Sequence, residues 1–572
     1  MKFMKYLLAF ALAIAFGLTA NVSHAQTVSY LGTGSSALFL ELGQAAAGLP
    51  DTGCVWTQKS TSLIAARDPR VGTPGTDENG NIWIAWGPGT GTCAAPIAPF
   101  DIYSQMSLDS VLGDRCFFMV DSSNTGGCIQ IITVTAGTAG VSPSLLGSTL
   151  TDTPIPGNVI SALNGARIFV AATDVRPEDA KFASARMFTA CGSPIVRNPY
   201  LNTSYQTTGL GYQTTTKGVG TSIQSFTNPG VVFHVLDFNI SGTDPISGGS
   251  LSAAGRSSYS VTTVGAQPIV VVVSPAPAGG TGLSAANDII GQTLSEYLNG
   301  TYGRATELQG PTSANAVTAL IREPLSGTYN TMEYSNPNSN EFKSTQEASN
   351  CSGSVVKSNP LNIGSANGKV PGAARVRAIG TGEVTAALQA ATTDTIGYFF
   401  WSAANASKFT QTNGKYLTVN GVDPILTSYN ANPVAPGVLP TGTNLSAVTF
   451  ANLNAGDYPI WSALRLVSVS PTPAGVTALV SGAQTLSSTQ NDFIPLANLK
   501  IWHSHFNMFA IGVTDNTNGT TVNPATPGDL CSNPSSLPEA GGDAGAANIS
   551  IHGNNDFCND FNVPIGINDK NN

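Results

Sequence analysis

Apolar residues in this chain gather into short unbroken runs, each followed by small or hydroxylated residues. "QPIVVVVSP" (267–275), "DTIGYFFWS" (394–402) and "YPIWSALRLVSVS" (458–470) are continuous β-branched and aromatic runs, which predict strands buried on both faces. "TVSYLGTGSSALFLELGQAAAG" (27–48) predicts a strand, a glycine loop and a helix, with Ser35 or Ser36 as N-cap and Leu38, Leu42 and Ala45 on one helical face. "ARIFVAATDVRPEDAKFASA" (166–185) predicts a strand ending in Thr173-Asp174 and passing into a helix with acidic residues in its first turn. Helical patterns recur near "SEYLNG" (295–300) and in "GTGEVTAALQA" (380–390), again opened by small residues. Residues 49–165 look turn-rich, with one clear strand, "NIWIAW" (81–86), feeding the loop "GPGTGT" (87–92). Residues 190–260 are rich in Thr, Ser and Gly and predict irregular or edge β structure. From about 515 the chain is an Asn/Gly/Pro-rich tail, and no internal repeat is visible. Strands that repeatedly end in loops opening helices predict an α/β fold, in which ligands bind where strand passes to helix.

The N-terminus changes this picture by giving an address. Lys2 and Lys5 precede the apolar run "LLAFALAIAFGLTA", and Ser23-His24-Ala25 follows, the pattern of a signal peptide (1–25) cleaved between Ala25 and Gln26. The run is short for a membrane span. The mature chain is therefore expected to be periplasmic or secreted. Charged residues make up only 10% of the sequence, against about 25% in ordinary domains, and the net charge is −9. Without a basic stripe, nucleic acid and anionic membrane surfaces are poor partners. With 41% hydrophobic residues there is ample material for a core.

Eight cysteines, Cys54, Cys93, Cys116, Cys128, Cys191, Cys351, Cys531 and Cys558, form no C-x-x-C pair. An even count behind an export signal predicts disulfides. Spacing favours 54–93, 116–128 and 531–558, leaving 191–351 by subtraction.

The segment "IREPLSGTYN" (321–330) carries the most chemistry. A Ser-Gly-Thr at a helix start offers two hydroxyls and free backbone N–H groups to an anion, and the glycine permits close approach. Arg322, four residues before Ser326, adds a rigid fork of donors suited to a tetrahedral oxyanion. The plainer reading is an N-capped helix beside a surface arginine. His503 and His505 in "IWHSHF" would share a strand face, but no third ligand is evident and no metal is expected. Trp401 and Trp461 are expected in the core. No Gly-x-Ser-x-Gly or His-Glu-x-x-His motif occurs, and the sequence supplies no nucleophile–base pair.

"R-x-x-x-S-G-T" before a helix resembles the anion loop of the periplasmic phosphate-binding proteins of ABC transporters. Other segments resemble the same family in the same order: "GTGSSALFLELG", "IFVAATDVRPED", "PIVVVV", "TLSEYLNGTYGRATEL", "DTIGYFFWSAANA" and "DYPIWSALRLV". The resemblance implies phosphate ligands at Ser36, Asp174, Arg322, Ser326, Gly327 and Thr328, with Ala37, Thr90 and Thr173 as secondary positions. Ala37 stands where the family usually has an aromatic. The family's Ser-rich loop after its second strand has no clean match; Thr90 or Thr92, which follow "WIAW", are assigned to it. Asp174 suits such a site because a carboxylate only accepts, and so selects an anion that still carries a proton.

The resemblance further implies a two-lobed α/β fold of the type 2 periplasmic-binding-protein class, hinged on two crossing strands. Residues 26–270 and 430–572 would form one lobe, with an insertion at about 190–260, and 271–429 the other. The expected function is capture of inorganic phosphate for an ABC-type membrane complex, by a monomer that needs no cofactor and catalyses no reaction. The competing expectations are a secreted structural or adhesive protein that keeps the fold without the ligand, and a phosphatase-like enzyme.

Overall fold

The computed structural model describes residues 26–67, 79–118, 127–141, 145–146, 150–175, 259–274, 281–322, 326–336, 370–378, 380–409 and 414–499. The expected leader (1–25), the helix expected after Arg176, the segment up to residue 258, Cys191, Cys351, Cys531 and Cys558, His503, His505 and the C-terminal tail lie outside these residues.

The protein is a mixed α/β structure built on one large mixed sheet. Its strands are β1 (Thr27–Gly34), β2 (Cys54–Gln58), β4 (Asn81–Trp86), β5 (Asp101–Ser107), β7 (Val170–Thr173), β8 (Tyr259–Val273), β9 (Asp288–Ile289), β10 (Val317–Arg322), β11 (Ala374–Ala378), β12 (Asp394–Phe400), β13 (Lys415–Val419), β14 (Trp461–Val469) and β15 (Ile494–Pro495), while β3 (Ile64–Arg67) and β6 (Ile129–Ile132) form a separate pair. The helices are α1 (Phe39–Ala47), α2 (Ser110–Phe118), α3 (Gly157–Leu163), α4 (Gly291–Leu298), α5 (Gly327–Ser335), α6 (Thr381–Gln389), α7 (Ala403–Ala406), α8 (Ala451–Ala455) and α9 (Ala474–Gln490). No helix among the described residues is long and apolar enough to cross a membrane.

Strand order β11-β10-β12-β8-β14-β7-β1-β5-β4-β2 divides the sheet at β8. Its first part, Tyr259–Pro268, pairs antiparallel with β14; its last part, Ile269–Val273, pairs with β12 and β13. Pro268, which has no N–H to give a ladder, sits where the partners change. The continuous run Val264–Val273 is buried throughout, as its lack of alternation predicts. On one side of β8, β1, β5 and β7 run parallel; on the other, β10, β11 and β12 do. The carboxyl ends of β1, β5, β10, β11 and β12 are each followed by a helix, α1, α2, α5, α6 and α7.

Separate apolar clusters fill the two halves. One holds Leu31, Ile84, Ile102, Val111 and Leu163; another Leu42, Trp83, Leu466 and Leu479; the third runs from Ala266 through Val317, Tyr398, Leu453 and Tyr458 to Trp461. Trp401 and Trp461 are buried in the third, as expected. Bridges 54–93 and 116–128 are present, and the described residues contain no free cysteine.

Several local expectations are corrected. The turn-rich stretch 49–165 contains five strands, β2 to β6, and two helices, α2 and α3. Alternation is hidden there because "IAAR", "DIYSQMS" and "IQII" are short and buried on both faces or interrupted by polar residues that face partners. Neither serine caps α1: Leu38 is the N-cap, and Ser35 Oγ instead accepts the Ala37 N–H at 3.1 Å.

One buried polar cluster links α1, β8 and the segment before β15. Gln267 Nε2 donates to Glu41 Oε1 at 3.4 Å and to the Asp492 carbonyl at 3.0 Å, and Asp492 Oδ1 accepts the Ala403 N–H at 2.6 Å. Burial, with mutual repulsion, raises the Glu41 carboxyl well above its ordinary range; burial pushes Asp492 up to about 6. A carboxyl raised in the folded state favours folding below its unfolded pKa, and that contribution disappears as pH rises through the folded value. The protein is therefore expected to melt at a lower temperature at pH 8 than at pH 5, and Glu41→Gln to reduce the difference. Equal pH dependence in the two proteins would show that Glu41 holds no extra proton.

Candidate functional site

At the carboxyl ends of the two parallel sets, the chain brings together groups from both sides of β8. β1 ends at Gly34, with φ of +130°, so that the following loop turns between its neighbours: Ser35 N–H donates to the Ala172 carbonyl at 2.6 Å and Leu108 N–H to the Gly34 carbonyl at 2.8 Å. A Cβ on Gly113 would lie 2.6 Å from Gly34 Cα, so this glycine lets α2 lie against the β1 loop. The ends of β1, β5 and β7 are thereby tied into one rim.

Asp174 stands at the end of β7, 1% exposed. Its carboxylate accepts a hydrogen bond from Ser110 Oγ, the first residue of α2, and its carbonyl accepts one from Ser462 Oγ at 2.5 Å. Burial raises its pKa, while the Ser110 bond and the Arg322 and Arg465 charges pull the other way. Burial wins, so this carboxyl keeps or accepts a proton more readily than an ordinary aspartate. Thr173 turns its hydroxyl towards Asp114 Oδ2 (3.1 Å) and the Val175 carbonyl (2.7 Å), bracing the turn.

Arg322 ends β10 and is 1% exposed, so it is no surface residue. Nη1 donates to Thr328 Oγ1 at 3.1 Å and to Thr381 Oγ1 at 3.3 Å; Nη2 lies 3.4 Å from Asp109 Oδ1; its backbone N–H donates to the Tyr398 hydroxyl at 3.2 Å. Ser326 is the N-cap of α5 by backbone position, yet its side chain makes no capping bond. The plain capping reading of this serine therefore fails. Gly327 lies against Asp174 so closely that a Cβ there would overlap the carboxylate. Thus the Ser-Gly-Thr helix start from one half meets Asp174 from the other.

Of the residues singled out in sequence, Asp174, Arg322, Gly327 and Thr328 are linked by these contacts, with Ser326 beside them. Thr173 supports Asp174 from behind. Ser36 is half-buried in the turn between β1 and α1, its carbonyl accepting the Phe39 N–H at 3.4 Å. Ala37 packs against clusters on both sides of β8. Thr90 and Thr92 are exposed and at the other end of the sheet. The reason is strand direction: β4 runs antiparallel to β5, with Trp86 opposite Ile102 and Asn81 opposite Ser107, so the loop after β4 leaves from the start of β5.

Four participants escaped the sequence reading. Ser110 and Asp109 come from "SLDS" after β5, a strand passing into a helix like the others, hidden by a short polar strand and a mid-helix glycine. Thr381 begins α6 in "GTGEV", a small-residue helix entry that could also touch an anion but in which no single residue stands out by sequence. Arg465 lies in β14 opposite Thr173, its charge masked in an apolar run.

No protein-family model matches the sequence, and no curated protein does either. Among solved structures the chain is similar to a phosphate-binding protein from Stenotrophomonas maltophilia, at 14% identity and a TM-score of 0.32, over 74% of this chain and 91% of that one. It is also similar to PstS from Borrelia burgdorferi (15% identity, TM-score 0.24, 41% and 72% covered) and to an ABC-type phosphate transport receptor from Vibrio cholerae (13%, 0.24, 42% and 74%). Likeness this loose says nothing of this chain's ligand.

Proposed function

We propose that this protein is an exported, non-enzymatic solute-binding protein that captures inorganic phosphate, or a similar tetrahedral oxyanion, for ABC-type import. The observation that carries the reading is the buried Arg322 guanidinium at a Ser-Gly-Thr helix start, pressed from the opposite half by Asp174. Ser36, Asp174, Arg322, Ser326, Gly327 and Thr328 are its proposed ligand groups, and Ser110 joins them in place of Thr90. The arginine supplies charge, the hydroxyls and helix N–H groups supply neutral donors, and Asp174 accepts a ligand proton. Two lobes hinge on β8 and β14, one comprising about 26–268 with the returning strand and α9. The other reaches 269–460 rather than the 271–429 expected from sequence, because Leu439, Val448, Phe450, Leu453 and Tyr458 pack in one cluster with Val317 and Tyr398. The anion closes them by touching both. The leader sends the chain to the periplasm or outside the cell, where it acts as a monomer.

Calorimetric titration of the mature protein with phosphate, arsenate, sulfate and molybdate tests the reading. One saturable phosphate site per chain is expected. No heat with any of the four would leave the structural or adhesive alternative standing.

A further inference from the structure

Two carboxylates approach Arg322, and they are not equivalent. Asp174 can receive a proton from a ligand. Asp109 instead pairs with the guanidinium itself, at 3.4 Å, with side chains 1% and 9% exposed, so water does little to weaken the attraction. Asp109 precedes α2 in one half of the sheet and Arg322 ends β10 in the other. The contacts at Nη1, the Thr328 and Thr381 hydroxyls, are neutral and balance none of the arginine's charge.

We infer that Asp109 is an internal competitor for the anion, a carboxylate latch that neutralises Arg322 across the cleft and that an incoming ligand displaces. The inference rests on the oxyanion-binding reading. A tetrahedral anion and Asp109 need the same N–H fork, and two negative charges side by side repel. Binding therefore draws only on molecules in which Asp109 has swung away, and apparent affinity falls by that fraction. A latch closed in about nine molecules of ten weakens binding about ten-fold. Because the competition acts through charge, it penalises phosphate and sulfate alike. Asp174 discriminates through a proton. One carboxylate sets how much anion is needed, the other which anion is taken.

The test titrates phosphate and sulfate into the wild type, Asp109→Asn and Asp109→Ala, the last because an asparagine oxygen could still accept from Arg322. Both variants are expected to bind phosphate about ten-fold more tightly and to gain similarly for sulfate, with the ratio unchanged. Their ligand-free melting temperature should drop, since a pair joining the halves is lost. Binding by the variants but not by the wild type would also support the latch, in its tightest form. Folded variants that bind phosphate equally or more weakly overturn the latch, assign Asp109 to orienting Arg322, and leave the oxyanion-binding reading intact. Absence of binding in all three proteins overturns both.

Discussion

Asp174→Asn is expected to bind sulfate far better than the wild type does while losing some affinity for phosphate. At neutral pH phosphate keeps a proton and sulfate has none. An ionised Asp174 accepts that proton in a charge-assisted bond but faces a bare sulfate oxygen as a like charge. Sites built around a ligand O–H reject analogues that lack it by about 10⁴–10⁵-fold. An asparagine can turn its amide to donate, so most of that discrimination should vanish. The raised pKa of Asp174 adds a sign that sequence could not supply. Once protonated, Asp174 can itself donate to sulfate. Wild-type selectivity should therefore grow as pH rises and shrink in acid, whereas Asp174→Asn shows no such trend beyond the ligand's own titration. Competition titrations at two pH values measure both. An unchanged phosphate-to-sulfate ratio in the variant would reduce Asp174 to a packing residue beneath Gly327.

The second large effect belongs to Arg322. Removing one partner of a buried charged contact costs about 2–5 kcal/mol, and each 1.4 kcal/mol is about ten-fold in affinity. Arg322→Ala should thus weaken phosphate binding from about thirty-fold to a few thousand-fold. The ion pair with Asp109 means the substitution also reaches stability, because a buried carboxylate loses that counterion. Arg322→Gln, which keeps an amide donor without the charge, separates charge from loss of side-chain bulk. It too deprives Asp109 of its counterion and should melt somewhat below the wild type, yet fold and still fail to bind tightly. Wild-type affinity in a folded Arg322→Gln protein would sink the assignment of charge to this side chain.

How much of this was legible beforehand follows from strand character. β8, β12 and β14 could be read because continuous β-branched and aromatic runs have little alternative to a doubly buried strand. The pairs 54–93 and 116–128 followed from spacing, since neighbouring cysteines close small loops cheaply. β5, β10, β11 and α9 were missed. Their residues, such as "DIYSQMS" and "AGVTALVSGAQTLSSTQ", mix small polar and apolar side chains, and packing on neighbours rather than periodicity makes them strand or helix.

By itself the sequence determined which residue types were available for an oxyanion: an arginine four places before a Ser-Gly-Thr helix start, and an aspartate ending an apolar strand. Local physics suffices there, because a helix terminus and a rigid donor fork act within a few residues of chain. Only the tertiary structure decided which of these residues meet. Strand direction sent Thr90 to the far end of the sheet and brought Ser110 to Asp174. The crossing at β8 set Gly327 against a carboxylate from the other half, and Asp109 against Arg322. Such encounters depend on the parallel or antiparallel sense of pairing between strands far apart in the chain, which neighbouring residues do not encode.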